Sequence, residues 1–151
     1  MADIYPADVN TAIADTLSAQ VKSVNQVQDL SDLTEGMNAV PAIQVYPEAG
    51  DESHNSNTGK RTFNGGVNTR QWVFHIDIYA KQRSNIGIDT QLAVELLGDV
   101  MKALDAVQVA GSPHFGLEGI QSWSYRWERV TFEYASNRYS GVRVIVTITI
   151  F

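Results

Sequence analysis

Residues 70–104 read RQWVFHIDIYAKQRSNIGIDTQLAVELLGDVMKAL, and this stretch decides the fold. From Gln71 to Ala80 the side chains alternate with period two, which is typical of a β-strand. One side of the alternation is apolar: Trp72, Phe74, Ile76, Ile78 and Ala80. The other side is mixed: Val73, His75, Asp77 and Tyr79. The sequence therefore predicts a strand that is buried on one face only.

The second half of the same stretch changes to helix periodicity. Its apolar residues recur every three or four positions: Ile88, Leu92, Leu96, Leu97, Val100, Met101 and Leu104. This spacing predicts an amphipathic helix, and the side-chain oxygen of Ser84 or Asn85 can cap its first turn. Gly87 and Gly98 each weaken the isolated helix by up to about 1 kcal/mol relative to Ala, so we expect packing on the sheet to stabilise it.

Three weaker patterns precede this stretch. Pro6 opens a segment in which apolar residues recur every four positions, which predicts a short helix. Residues 21–33 have apolar residues at three-residue spacing, which fits neither regular structure and predicts a linker with a short strand or a turn. Pro41 and Pro47 bracket the short apolar run 42–46, which predicts a strand at the edge or the end of a sheet.

Residues 48–68 are rich in Gly, Ser and Asn and hold few large apolar side chains. Because such a segment buries little surface, it predicts a long mobile loop. The loop is either a hairpin tip that becomes ordered on a partner, which we favour, or plain surface.

The last third of the chain has two further alternating runs, at residues 120–134 and 142–151. In the first run the aromatic side changes near Glu128 and Arg129, which predicts a β-bulge there. A short connection joins the two runs, so they should pair in antiparallel fashion. Together the elements predict one α+β domain over residues 1–151, with a mixed, largely antiparallel sheet and helices packed on one of its faces.

Composition limits the classes of function. The chain has no Cys, so a disulfide framework, a thiolate metal site and a Cys nucleophile are excluded. We expect no signal peptide and no membrane association, since no apolar run approaches the roughly 18 residues that would span a bilayer.

Charge is unevenly distributed along the chain. Residues 1–59 hold nine acidic residues and one basic residue, and thus carry a formal charge of −8. Residues 60–151 hold eight acidic and ten basic residues, and carry +2. Because duplex binding depends largely on neutralising phosphates, the net charge of −6 disfavours stable binding of DNA.

No pattern of catalytic or metal-binding residues is complete. His75 and Asp77 lie on one side of the predicted strand and could hold a metal or form an acid/base pair, but no third ligand lies nearby in the sequence. The Gly59-Lys60 pair lacks the surrounding residues of a phosphate-binding loop. We therefore expect no catalytic residue, no metal and no cofactor. A small hydrolase or metal-dependent enzyme that uses His75 and Asp77 remains the alternative from another class.

Two other features of the sequence favour protein assembly. Five basic residues lie between positions 60 and 83, and three aromatic residues alternate along the predicted strand 120–134. An aromatic strand of this kind can be a stacking platform for single-stranded nucleic acid, but it is more often core or protein interface. We therefore define the predicted assembly residues as Lys60, Arg61, Arg70, His75, Asp77, Lys81, Arg83, Trp123, Tyr125 and Trp127.

One family shares this succession of elements. The run VPAIQVYP at residues 40–47, a Gly/Asn-rich loop, the run WVFHIDIYAK at 72–81, a Leu/Ala-rich helix and the closing run YSGVRVIVT at 139–147 follow one another. This order resembles that of bacteriophage tail terminator, or tail-completion, proteins, and the likeness covers most of the chain.

The resemblance implies a structural virion protein rather than an enzyme. Such subunits form a ring, commonly a hexamer, on the head-proximal end of the tail tube, where they end tube polymerisation and provide the surface to which the head connector docks. The implied partners are copies of the same chain, the tail tube protein and a head-completion or connector protein, while DNA passes through without specific binding. The implied location is the virion tail, after assembly in the cytoplasm of the bacterial host. A neck or head-completion protein of the same virion is the nearest alternative.

Overall fold

The computed structural model describes residues 4–29, 41–54, 68–82, 86–107, 114–117, 119–134 and 137–150. These residues form two α-helices, α1 (Pro6–Gln20) and α2 (Ile86–Ala106), and a single 3₁₀ turn at His114–Gly116. They also form five strands: β1 (Gln26–Asp29), β2 (Ala42–His54), β3 (Asn68–Gln82), β4 (Ile120–Tyr134) and β5 (Asn137–Ile150).

All five strands belong to one sheet with the order β1-β2-β3-β5-β4. β1 is parallel to β2, whereas the β2–β3, β3–β5 and β4–β5 pairs are antiparallel. The predicted α+β fold with a mixed, largely antiparallel sheet is therefore confirmed, and so is the antiparallel pairing of the two last strands. Residues 21–33, predicted as a linker with a short strand or a turn, contain the strand β1.

Helices α1 and α2 pack against the same face of the sheet, which we call the helix side. The predicted apolar side of the central strand lies there, because Trp72, Phe74, Ile76, Ile78 and Ala80 are all buried in the main core. Alternate residues of β5 join them on that face: Val142, Val144, Val146, Ile148 and Ile150. Helix α2 contributes its predicted stripe, of which Leu96, Leu97, Val100 and Leu104 are buried. The capping residues Ser84 and Asn85 lie outside the described residues.

Helix α1 begins at Pro6, as the sequence predicts, and buries Val9, Ile13 and Leu17. The backbone N–H of Tyr5 donates to Asp8 Oδ2 at 2.9 Å, which places an acidic side chain at the positive end of the helix. Asn10 is fully buried and ties the helix to the sheet, since its Nδ2 donates to Asp29 Oδ1 and to the carbonyl of Val45. This contact fixes α1 over β1 and β2.

Two predictions about the second strand are wrong. β2 runs to His54 and β3 begins at Asn68, so residues 48–54 and 68 of the predicted loop belong to strands. The remaining residues, 55–67, lie outside the described residues. Composition misled because the backbone ladder with β3 forms regardless of how apolar the side chains are. The edge position is also wrong for residues 42–45, which lie between β1 and β3. Pro47 stands past the end of β1, where the ladder shifts register.

The predicted bulge at Glu128 and Arg129 is also wrong. The register of β4 against β5 is continuous from Ser122 to Tyr134, and the one shift lies between Ile120 and Ser122. Instead, the apolar residues in the first half of β4 lie on one face of the sheet and those in its second half lie on the other. Trp123 and Tyr125 pack against the main core, whereas Val130 and Phe132 join a second cluster on the opposite face with Ala42, Tyr79 and Tyr139.

Candidate assembly surface

The face of the sheet opposite the helices, which we call the open face, carries the mixed side of the central strand. Register places Tyr46 of β2 beside His75, and Arg143 of β5 beside Asp77. Because residues two apart on a strand point the same way, these four side chains meet on one surface. We call them the polar cluster.

Asp77 is the buried centre of the polar cluster, with 2% of its surface exposed. Arg143 Nε donates to Asp77 Oδ1 at 2.8 Å, and Arg143 Nη2 donates to Asp77 Oδ2 at 3.3 Å. Burial of a carboxylate is costly unless it is paired and hydrogen-bonded, and this two-point contact with a guanidinium meets that requirement. The hydrogen bond with Asp77 raises the pKa of Arg143 above its usual range. Arg143 therefore keeps its charge, and the two hydrogen bonds fix its position against Asp77.

Tyr46 completes the coordination of the carboxylate. Its hydroxyl donates to Asp77 Oδ2 at 2.7 Å and accepts from Arg143 Nη2 at 3.3 Å. Burial, and then the hydrogen bond to Asp77, raise the pKa of Tyr46 well above its usual range. The phenol thus stays protonated at neutral pH and acts as a donor, not as a base.

His75 stands beside Tyr46, with its Nδ1 3.3 Å from the phenol oxygen. The single hydroxyl proton of Tyr46 is directed to Asp77, so a hydrogen bond in this contact requires a proton on His75 Nδ1. Burial, and then the positive charge of Arg143, lower the pKa of His75, while Asp77 and the Glu48 carboxylate act in the opposite direction. The lowered pKa of His75 favours the neutral imidazole at pH 7.

Next to the polar cluster lies the second apolar cluster. The rings of Tyr79 and Phe132 stack with centroids 4.5 Å apart, and Tyr139 meets Tyr79 edge-on at 5.8 Å. Arg143 Cζ lies 5.5 Å from the centroid of Phe132. Between the two clusters the open face has a hollow of about 490 Å³ that is lined in part by Tyr46, Asp77, Phe132 and Arg143. The open face thus has a hollow beside side chains that are held by ring contacts and hydrogen bonds.

The predicted assembly residues lie on two different faces. His75 and Asp77 lie on the open face, whereas Trp123, Tyr125 and Trp127 pair with the helix-side residues of β5. Trp123 Nε1 donates to His114 Nδ1 at 3.1 Å, and the Tyr125 hydroxyl donates to Asp105 Oδ1 at 3.0 Å. Both rings are partly buried against the core, but Trp127 is 48% exposed. The aromatic strand and the mixed side of β3 therefore do not form one patch.

The predicted basic residues are only partly described. Arg70 Nε lies 3.5 Å from Glu52 Oε1 at the far end of the β2–β3 hairpin. Lys81 belongs to β3. Lys60, Arg61 and Arg83 lie outside the described residues.

The open face offers little for catalysis through His75 and Asp77 as a pair. Both oxygens of Asp77 accept hydrogen bonds from Arg143 or Tyr46, and Nδ1 of His75 faces Tyr46. In the part of the chain that the structure describes, no group of three or more His, Asp or Glu side chains could hold a metal ion.

Neither of the two described helices has the length and the apolar composition that a membrane span requires.

Sequence reasoning missed Tyr46, Tyr79, Phe132 and Arg143. Arg143 carried the clearest signal, because it is the one charged residue among the aliphatic and Thr residues of 142–150 and it stands on the face opposite the valines. Only the register of β3 against β5 shows that its partner is Asp77.

Neither protein-family models nor curated protein sequences match this chain.

Proposed function

We propose that this protein is a structural subunit of a bacteriophage tail, and that it forms a ring on the head-proximal end of the tail tube. In this role the ring ends polymerisation of the tube protein and offers the surface on which the head connector docks. The proposal starts from the resemblance in the order of elements and short apolar runs, which implies a hexamer. DNA would pass through such a ring, and the net charge of −6 suits passage without binding.

The observation that supports this proposal best is the build of the open face. Among the described residues no helix covers this face, yet it carries a buried ion pair, a fixed phenol and a stacked aromatic cluster. Side chains that are already held in place lose little conformational freedom on binding, which favours association with another protein. Aromatic residues and Arg are also the types enriched in protein interfaces.

Charge supports the closed ring in particular. Head-to-tail contacts need two different patches on each subunit, since one surface must meet another. The formal charge of −8 in residues 1–59 and of +2 in residues 60–151 favours patches of opposite sign on one subunit. Opposite charges guide such subunits to the right orientation.

Size-exclusion chromatography with light scattering tests the proposal, followed by negative-stain images of the protein with purified tail tubes. We expect a ring alone, or a ring that closes at one end of the tube. A strict monomer at every concentration, which also leaves the tubes bare and their growth unchanged, would overturn the proposal.

The same images separate the nearest rival. A neck or head-completion protein would bind the connector or the finished tail and would not stop growth of the tube protein. The enzyme alternative is tested by assaying the wild type and the variants His75→Gln and Asp77→Asn for hydrolytic activity. We expect no activity in any of the three proteins. A hydrolytic activity that both changes abolish would favour that alternative.

A further inference from the structure

The sheet ends in two strands whose outer sides carry no ladder in the described part of the chain. Among the described residues, β1 pairs with β2 only along Ala42–Val45, so residues 46–54 of β2 have a described ladder with β3 alone. On the opposite side, the one described strand that pairs with the 15 residues of β4 is β5. We call these the β2 edge (residues 46–54) and the β4 edge (residues 120–134). Unpaired edges offer backbone N–H and C=O groups to another strand.

The β2 edge is acidic. Glu48, Asp51 and Glu52 are exposed there, and Arg70 beside Glu52 is the one basic residue of the group. On the helix side of this edge a cleft of about 430 Å³ opens between Pro6 and Pro47, with Trp72 in its lining. Gly50 keeps the cleft open, because a Cβ at this position would lie 2.9 Å from Trp72 Cδ1.

The β4 edge is basic at its middle. Arg126 and Arg129 are exposed, and Glu128 lies 3.9 Å from Arg126. Trp127 between them is one of the three large apolar side chains that the described residues leave exposed, at 48%. This strand therefore shows a charge of +1 around an uncovered indole, against −2 for the group at the β2 edge.

The two edges also match in direction and in face. Successive antiparallel pairings make β4 run opposite to β2, so copies placed side by side would align the two edges as an antiparallel pair. With the faces of neighbouring sheets continuous, Arg126 and Asp51 would both lie on the open face. Arg129, Trp127, Glu52 and the cleft would lie together on the helix side.

We propose that the β4 edge of one subunit docks on the β2 edge of the next copy, with Arg126 against Asp51 and Trp127 over the Pro6–Trp72 cleft. In this antiparallel register Arg129 and Glu52 lie on the helix side, one on each side of Trp127 along the edge. The inference rests on the proposed ring, whose subunit contact it specifies. Because the two edges lie on opposite sides of one sheet, the contact is head-to-tail and repeats around a closed ring. The inference places the acidic patch in β2. It places the basic patch in β4, whereas the sequence predicted it in residues 60–83.

A charge-swap experiment tests this contact. Variant X carries Arg126→Glu and Arg129→Glu, and variant Y carries Asp51→Lys and Glu52→Lys. Each variant alone brings like charges together, so we expect monomers under conditions where the wild type assembles. The mixture of X and Y restores opposite charges at every contact, and we expect alternating rings of wild-type size by light scattering and negative stain.

Two controls keep the result specific. Glu95→Lys with Lys102→Glu changes the same kinds of charge on exposed positions of α2 and should assemble like the wild type. Trp127→Ser should weaken assembly by about tenfold or more, whereas Val94→Ser, at a side chain that is also 48% exposed, should leave it unchanged. Circular dichroism checks folding, and the single changes Arg129→Glu and Asp51→Lys replace any double variant that does not fold.

The failures can be told apart. If the wild type assembles but X or Y assembles equally well, or if the mixture stays monomeric, the docking of β4 on β2 is wrong and the ring proposal stands. If the wild type never assembles, with or without tail tubes, both proposals are wrong.

Discussion

The Asp77–Arg143 contact joins a buried carboxyl group to a partly buried guanidinium on the open face. Asp77 is buried, and removing its charge leaves Arg143 partly buried without a counter-ion. Losing one partner of such a pair costs far more than losing an exposed one. The contact is therefore a sensitive probe of whether the open face is built as described.

We expect Asp77→Ala to lower the free energy of unfolding by about 3 kcal/mol, since it strands the guanidinium of Arg143. Urea denaturation followed by circular dichroism measures this change. Glu133→Ala is the matched control, because Glu133 pairs with Arg138 at 3.4 Å on the exposed surface, and it should cost about 0.5 kcal/mol or less. Equal costs for the two variants would contradict the described burial of Asp77.

His75 should be present as the Nδ1–H tautomer. Tyr46 has one hydroxyl proton and gives it to Asp77, so the imidazole donates to the phenol oxygen. Nitrogen-15 NMR of the imidazole at neutral pH distinguishes the two tautomers. Tyr46→Phe removes the acceptor, and the population should then shift toward the Nε2–H form. A wild-type imidazole that carries its proton on Nε2 would disprove this geometry.

The lowered pKa of His75 also predicts the direction of a pH effect. Burial lowers this pKa in the folded state below the unfolded value, so the unfolded chain binds more protons as the pH falls. His75 should therefore reduce stability as the pH falls through its unfolded pKa of about 6.5, and leave it unaffected above that range. Unfolding of the wild type and of His75→Gln at about pH 7.5 and about pH 5.5 measures this, since His75→Gln should lose less stability than the wild type. A larger loss of stability for His75→Gln than for the wild type would contradict a lowered pKa of His75 in the folded state.

At the scale of elements, the close approach of β5 to its neighbouring strands depends on Gly141. Gly141 is paired with Tyr79 on β3 and with Val130 on β4. A Cβ at this position would lie 2.1 Å from the carbonyl oxygen of Ile78 and 2.6 Å from the Phe132 ring. No rotamer change removes a clash with backbone. A side chain at this position must therefore separate the central strands.

Gly141→Ala should lower the free energy of unfolding by about 2 kcal/mol or more, through overpacking of the strands. Gly98→Ala is the matched control, because nothing lies within 4 Å of a Cβ at that helical position. Ala is the better helix former there, so this change should raise stability by up to about 1 kcal/mol. Thermal unfolding of both variants gives the comparison, and a neutral Gly141→Ala would contradict the described strand spacing.

For the whole molecule, the proposed contact between acidic and basic edges predicts a salt effect. Salt screens charges that remain partly exposed, so self-association should weaken as the salt concentration rises from about 0.05 M to about 0.5 M. Sedimentation at several protein concentrations measures the association constant. Association that strengthens with salt would point to a contact dominated by apolar surface and would contradict the charged edges.

Much of the architecture follows from local patterns in the sequence. The alternation at residues 71–80 predicts β3, the spacing from Ile88 to Leu104 predicts α2, and Pro6 correctly marks the start of α1. These patterns succeed because burial of one face requires a period of 2.0 in a strand and 3.6 in a helix. His75 and Asp77 were expected to share a face for the same reason.

What tertiary structure alone decides is which strands meet and in which register. The sequence does not show that Arg143 lies opposite Asp77, or that β2 continues through a segment of loop-like composition. It shows that the apolar side changes within β4, but not that this change occurs without a bulge. Each of these depends on contacts between residues far apart in the chain, which local periodicity does not encode. Alternation determined which side chains share a face, and the packing of the helices on one side of the sheet determined which face no described helix covers.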